Sequence, residues 1–341
     1  MNQRKVRLSR KQYVGLGRVP IGIGAIVKGW DIEEQEFRNP NTLSVVDFRA
    51  MANSCPWDCF HCYTDKNPKT LTLGEIKFVI DQIADLGARA IDYLGEGEPT
   101  IDPDFFRIIE YTASRGIPPI VFTDAATKMR DRDFVRRVYQ TGASVVPKCD
   151  SLWNPDYQNW VVGDKTEQYY HQRQEALELL IAEGFNKVEP DGTTRLGFDM
   201  VVTRRNMAEV ERTLRYCRDN NIWIVFSWFL PAGRSGREDF DRALEVAEEE
   251  KSVLRETVKR VDGGGYGYDH PIYNNFATMP CVEFMQIYGD GRVSPCPGNE
   301  TVVGNIRTHT IRELRQIILQ RFPCHNPVTF DGHCLYRPRI I

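Results

Sequence analysis

Between residues 43 and 229, short apolar runs alternate with segments whose apolar residues recur at helical spacing. The run at 43–48 predicts a strand. Thr72 and Glu75 form a capping box ahead of Ile76, Val79, Ile80, Ile83 and Leu86, which predicts a helix that Gly87 closes. Further strands are predicted over 90–94, 119–122, 143–147, 196–202 and 222–228, and further helices over 104–114, 132–139, 166–182 and 207–219. Six βα-like repeats in order predict an α/β fold with a parallel sheet and right-handed crossovers. Six strands rather than eight predict an open, partial (β/α)6 TIM-like barrel, with its chemistry at the carboxyl ends of the strands.

Past the sixth strand the pattern changes. A long helix is predicted over 238–260, with Glu248, Glu249 and Glu250 on a solvated face. A glycine-rich stretch at 262–270 then breaks the periodicity. The run 284–288, the turn Gly289, Asp290, Gly291 and the run 292–294 read as a hairpin, followed by a capped helix over 310–321. The expected division is an N-terminal extension (1–42), a barrel (43–236), a helix with a Gly-rich linker (237–270) and a small C-terminal domain (271–341).

The 341 residues are enough for a large core, and 27% charged with 41% hydrophobic residues is ordinary for a globular protein. A net charge of -3 argues against a chain devoted as a whole to nucleic acid or anionic membrane. No apolar stretch reaches the roughly 18 residues of a membrane span, and no secretory signal opens the chain, so a cytoplasmic protein is expected. In that compartment nine cysteines point to metal rather than to disulfides.

Cys55, Cys59 and Cys62 follow the first strand with the spacing CX3CX2C. One short loop with three thiolates can hold three corners of a [4Fe–4S] cluster and leave one iron open. A structural zinc site would want a fourth ligand, for which His61 would have to bend back from between two cysteines. The spacing, with an aromatic ring before the last cysteine, resembles the cluster loop of the radical S-adenosylmethionine (radical SAM) enzymes. That resemblance implies that S-adenosylmethionine chelates the open iron, and that an electron from an external donor of flavodoxin or ferredoxin type cleaves it to a 5′-deoxyadenosyl radical.

A second motif follows the second predicted strand: Gly95, Glu96, Gly97, Glu98, Pro99 and Thr100. Glycine lets backbone approach a ligand closely, and proline stiffens the turn. The segment resembles the superfamily's GGEP motif, with Glu96 in place of one glycine. The resemblance implies that Gly95, Gly97, Glu98 and Pro99 receive the cofactor's amino group. Lys148, Asp150 and Ser151, at the end of the fourth strand, are candidates for the ribose, and Arg173 for the cofactor carboxylate.

Cys281, Cys296, Cys324 and Cys334 fall in the last quarter of the chain. A hairpin with a cysteine beyond each outer end can bring two thiolates to one metal, and the later pair can complete a closed [4Fe–4S] site; zinc is the alternative. The CX9GX4C unit resembles the opening of the SPASM extension of radical SAM enzymes. Four cysteines rather than seven match the shorter form called Twitch, with one auxiliary cluster.

Among isolated residues, Cys149 is a candidate hydrogen-atom donor or a small buried hydrophobe, and Cys217 reads as packing. Asp269 and His270 are candidate proton carriers. The expected activity is abstraction of a substrate hydrogen atom, with net oxidation and the electron passing to the auxiliary cluster. Only about forty residues precede the barrel, too few for a peptide-binding domain with its own core, which favours a small polar substrate of sugar or nucleoside type. A peptide-modifying maturase is the second expectation, and a non-catalytic iron–sulfur or zinc protein the third.

Overall fold

The computed structural model describes residues 43, 45–190, 193–228, 233, 242–261, 285–296 and 299–323, and the backbone of 26–27. Strand β1 (Ile26–Val27) pairs with the later β6 (Thr193–Thr194). Strands β2 (Val45–Phe48), β3 (Ala90–Tyr93), β4 (Pro119–Thr123) and β5 (Ser144–Pro147) are parallel neighbours in chain order. Strands β7 (Gly197–Val202) and β8 (Trp223–Trp228) form a parallel pair. Bridges Val145–Leu196 and Lys148–Asp199 carry β5 on to β7. The result is the expected α/β architecture, six parallel strands running β2 to β8.

Helices α1 (Leu73–Asp85), α2 (Phe105–Ser114), α3 (Arg132–Gln140), α4 (Pro155–Val161), α5 (Tyr169–Glu183) and α6 (Val210–Asp219) are interleaved with the strands. The capping box at Thr72 and Glu75 is formed, and Ile76, Val79, Ile80 and Ile83 are buried. Helix α5 begins at Tyr169, three residues later than the sequence pattern places it. The Asp164 carboxylate accepts from the backbone N–H groups of Thr166, Gln168 and Tyr169 and so organises the preceding turn. Helix α4 is absent from the sequence reading; Asn154 caps it and Pro155 opens it. Helix α7 (Glu248–Val261) starts ten residues later than expected, with a 3-10 turn over Arg242–Leu244 before it.

The expected hairpin forms from β9 (Gln286–Ile287) and β10 (Arg292–Ser294), with β11 (Gly304–Asn305) beside β10 and helix α8 (Ile311–Arg321) behind. Strand β9 also pairs in parallel with β2, so the hairpin extends the barrel sheet at its first edge. One apolar core runs from β2 to α8 and includes Val46, Phe48, Ile91, Val145, Met200, Ile287, Leu314 and Ile318. Alternation along each strand leaves the other face to Asp47, Asp92, Ser144, Lys148, Asp199 and Gln286, which line the inside of the barrel. Among the described residues no helix is long and apolar enough to cross a membrane.

Candidate active site

The cysteine loop leaves the carboxyl end of β2. Cys55, Cys59 and Cys62 are free thiols, each half-buried. Helix α4 holds the loop from outside: Asp58 N–H donates to Val162 O (2.9 Å) and Phe60 N–H to Val161 O (3.0 Å). Trp57 Nε1 donates to Asp124 Oδ2 at 2.9 Å and its ring meets Tyr169 edge-on. Burial pushes the Cys55 thiol up to about 12 and Cys59 well above its ordinary value. The Lys148 ammonium opposes that rise at Cys59, while Cys62 and Cys55 add to it, so the three sulfurs feel one another. A buried thiol of that kind becomes a thiolate when a metal takes the proton's place.

Among the described residues no three His, Cys, Asp or Glu side chains stand ready-assembled as a metal site. The donor set nevertheless suits an iron–sulfur cluster: three unbridged thiols on one braced loop. His61, between them, is buried, with neither ring nitrogen hydrogen-bonded among the described residues. Burial first, then Lys148, keeps that ring neutral, and its Nε2 lies 3.9 Å from Asp150 Oδ1. Orphaned polar atoms of this kind, beside the thiols, fit a site that takes a further polar group.

The turn after β3 packs directly on this loop. Glu98 N–H donates to Ser54 O at 2.9 Å. Gly95 has φ +71, and a Cβ there would lie 2.8 Å from Gly97 O. Glu98 is buried and its carboxylate is engaged by the protein itself: Oε1 accepts from Thr100 N–H (3.1 Å) and from the Thr100 and Thr123 hydroxyls (2.6 and 2.7 Å), and Oε2 from Asp124 N–H (2.7 Å). Burial and then Asp124 push Glu98 up to about 8. Glu98 therefore shapes the turn, capping the 3-10 turn Pro99–Ile101. Glu96, the departure from the glycine motif, is buried and points its carboxylate at Arg49 and Asn67.

Of the ribose candidates, Lys148 and Asp150 face into the barrel. Lys148 Nζ lies 3.0 Å from Asp150 Oδ1 and 3.2 Å from Asp199 Oδ2. Ser151 and Cys149 lie on the opposite face of the strand end. Ser151 Oγ donates to Glu209 Oε2 (2.6 Å) and accepts from Trp153 and Asn154 N–H, so its hydroxyl organises the approach to α4. Arg173 is wholly buried, donating to Ser151 O (2.8 Å) and Gln158 Oε1 (3.0 Å). Those bonds commit two of its guanidinium nitrogens to the strand end and to α4.

Cys149 is wholly buried in the apolar core and feels Arg173, while Cys217 on α6 feels Cys149 in turn. Because Lys148 and Asp150 flank it on the inner face, its sulfur is on the helix side of the sheet. This thiol packs in the core as a small buried hydrophobe. Cys296 is buried just beyond β10. Asp269, His270, Cys281, Cys324 and Cys334 lie outside the described residues.

Sequence reading passed over an acidic pair inside the barrel. Asp47 and Asp92 are register partners on β2 and β3, both buried, each with an Oδ1 that has no hydrogen-bond partner among the described residues. Burial raises both; Arg49 opposes the rise at each, while Glu96 adds to it at Asp47 and Asp47 adds to it at Asp92. Two charged residues in and just after the apolar run of β2, Asp47 and Arg49, were the available signal.

Residues 50–217 match the radical SAM superfamily. This stretch is a radical SAM domain. The radical SAM match spans the cysteine loop, the glycine turn and the strands through α6. The chain is similar to the AdoMet-dependent heme synthase of Methanosarcina barkeri, 23% identical over 310 residues, covering 82% of this chain and 84% of that one. It is also similar to the mycofactocin maturase MftC of Mycobacterium tuberculosis, 22% identical, covering 53% of this chain and 44% of that one. Its fold resembles that of Streptococcus suis SuiB bound to precursor peptide SuiA, with TM-score 0.62, 14% identity, and coverage of 87% of this chain and 68% of that one. A heme synthase and two proteins tied to maturation or a precursor peptide stand side by side, so these likenesses lend no weight to a small molecule over a peptide.

Proposed function

We propose that this radical SAM enzyme removes a hydrogen atom from a polar substrate held inside the barrel and oxidises it. The observation that carries the reading is the direct packing of two motifs: the turn Gly95, Gly97, Glu98 and Pro99 lies one backbone hydrogen bond, Glu98 to Ser54, from the loop of Cys55, Cys59 and Cys62. Cluster and S-adenosylmethionine, when bound there, supply reductive cleavage and the hydrogen-abstracting radical.

The chain's own residues do the rest. The three thiols would hold the cluster, and α4 and Trp57 keep their loop in place. Lys148 presents a fixed positive charge to the inner face, balanced by Asp150 and Asp199. Asp47 and Asp92, whose ionisation burial opposes, provide a place to hold a substrate proton. Cys281, Cys296, Cys324 and Cys334 would hold an auxiliary [4Fe–4S] cluster that accepts the substrate's electron.

A peptide is the second reading for the substrate. It is favoured by the likeness to the fold of SuiB, which covers 87% of this chain. The test is iron and sulfide content after anaerobic reconstitution, in the parent chain and in Cys296→Ala. About eight irons falling to about four supports both clusters; about four in each protein removes the auxiliary cluster and the oxidative reading with it.

A further inference from the structure

A closed ring of hydrogen bonds joins the C-terminal hairpin to the cofactor turn. Arg49 directly follows β2, six residues before Cys55, and is only 2% exposed. Its Nη2 donates to Gln286 Oε1 on β9 at 2.8 Å, and its Nη1 to Glu96 Oε1 in the glycine turn at 3.2 Å. Its Nε reaches Asp47 Oδ2 at 3.3 Å. The ring of Tyr63, the residue after Cys62, lies 4.8 Å from the guanidinium carbon, and the ring of Tyr288, just beyond β9, 5.2 Å.

Glu96 carries the chain of contacts onward. Its Oε2 accepts from Asn67 N–H (3.0 Å) and from Asn67 Nδ2 (3.3 Å), in the segment that leaves the cysteine loop. Asn67 Oδ1 then accepts from Arg292 Nη2 on β10 at 3.0 Å. The circuit thus starts at Gln286 on one hairpin strand and returns at Arg292 on the other. It passes Arg49, Glu96 and Asn67 on the way. Ser294 closes β10, and Cys296 lies two residues further.

We infer that Glu96, Arg49 and Gln286 form a positioning relay by which the C-terminal hairpin sets the cofactor turn against the cysteine loop. The inference rests on the reading of that turn and loop as the cofactor site. Three physical points support it. Arg49 is charged at any working pH, so each acceptor it loses leaves buried donors unpaired. Its planar fork fixes the directions of Glu96 and Gln286 together, so a shift of the hairpin moves both. Glu96 stands where the motif otherwise has glycine, and the side chain it adds is used wholly for this circuit. None of the three touches the reacting atoms; they act through the turn's backbone.

The test uses the full reconstituted chain and its variants Gln286→Leu, Gln286→Glu, Glu96→Gln and the double variant Gln286→Leu with Glu96→Gln. S-adenosylmethionine affinity is measured by equilibrium binding, alongside the change that S-adenosylmethionine causes in the electron paramagnetic resonance spectrum of the reduced cluster. The relay predicts that Gln286→Leu weakens binding by about tenfold and diminishes that spectral change, while iron at the first site is retained. Gln286→Glu, which keeps the acceptor, restores binding to within about threefold of the parent. The double variant is no weaker than the worse single one, as expected of coupled residues. Unchanged affinity in Gln286→Leu despite lower thermal stability, or effects that add in the double variant, would overturn the relay and reduce the ring to packing. Should Gln286→Leu not fold, Arg292→Met opens the ring from its half-exposed end, and the same loss of affinity is required of it. Failure of the parent chain itself to bind S-adenosylmethionine would overturn the cofactor-site reading instead.

Discussion

Gly97 lies so near Ser54 that a Cβ on it would stand 2.0 Å from the Ser54 carbonyl oxygen and 2.7 Å from the carbonyl carbon of Asn53. The glycine is needed for the contact between two pieces of protein, the cofactor turn and the start of the cysteine loop. Neither backbone can withdraw cheaply, since Glu98 N–H donates to the same Ser54 oxygen. Gly97→Ala should destabilise the chain by about 3 kcal/mol and displace the loop. Iron content after reconstitution should fall with the melting temperature; normal iron and normal melting would contradict the packing argument.

Arg173 is expected to act as a structural residue. Removing its guanidinium takes the donor from Ser151 O and one of the two donors from Gln158 Oε1, which Ser151 N–H also serves, in a wholly buried place. Arg173→Lys should cost about 2 kcal/mol in chemical denaturation and leave S-adenosylmethionine affinity close to that of the parent. A large loss of affinity at full stability would return Arg173 to the cofactor.

Cys149→Ala should cost about 1 kcal/mol and leave the product of the reaction unchanged, because the sulfur packs in the core on the helix side of the sheet. The comparison is a product profile by mass spectrometry for the two proteins. Loss of product with accumulation of an unquenched or altered substrate would reinstate the donor role.

How far the sequence carried these conclusions depends on what each residue's role leaves in the pattern. The six parallel strands were legible because short runs with apolar helix-facing residues alternate with amphipathic helical segments. Helix α8 and the capping boxes at Thr72 and Thr310 were legible because caps are local chemistry. Helix α4 was not: seven residues opened by Asn154 and Pro155 look like a loop, and its bond to the cysteine loop is a tertiary fact. The facing of Cys149 and Ser151 away from Lys148 and Asp150 follows from period-two alternation and could have been read. The pairing of β9 with β2 could not, since some 240 residues of chain separate Asp47 from Gln286 and nothing local marks either strand for the other.

Asp47 and Asp92 make folding stability depend on pH in a definite direction. Burial raises their folded pKa above the ordinary carboxylate value near 4, so the folded state binds protons more tightly than the unfolded chain. Their contribution is therefore fully present below about pH 4 and is lost as pH rises through the folded values. Asp92→Asn removes that penalty. The variant should be more stable than the parent at pH 8 by about 1 kcal/mol or more, and the gap should close toward pH 4. Urea midpoints at the two pH values check this; a gap that widens on acidification would contradict the assignment of burial as the dominant cause.

The central claim, that the loop of Cys55, Cys59 and Cys62 with its packed turn cleaves S-adenosylmethionine, is tested most directly by one assay. Reconstituted, dithionite-reduced protein is given S-adenosylmethionine and 5′-deoxyadenosine is quantified by chromatography, with Cys59→Ala treated alongside. The account predicts deoxyadenosine from the parent chain and none above background from the variant. Equal amounts from both, or none from a parent chain that carries its full iron, would contradict it.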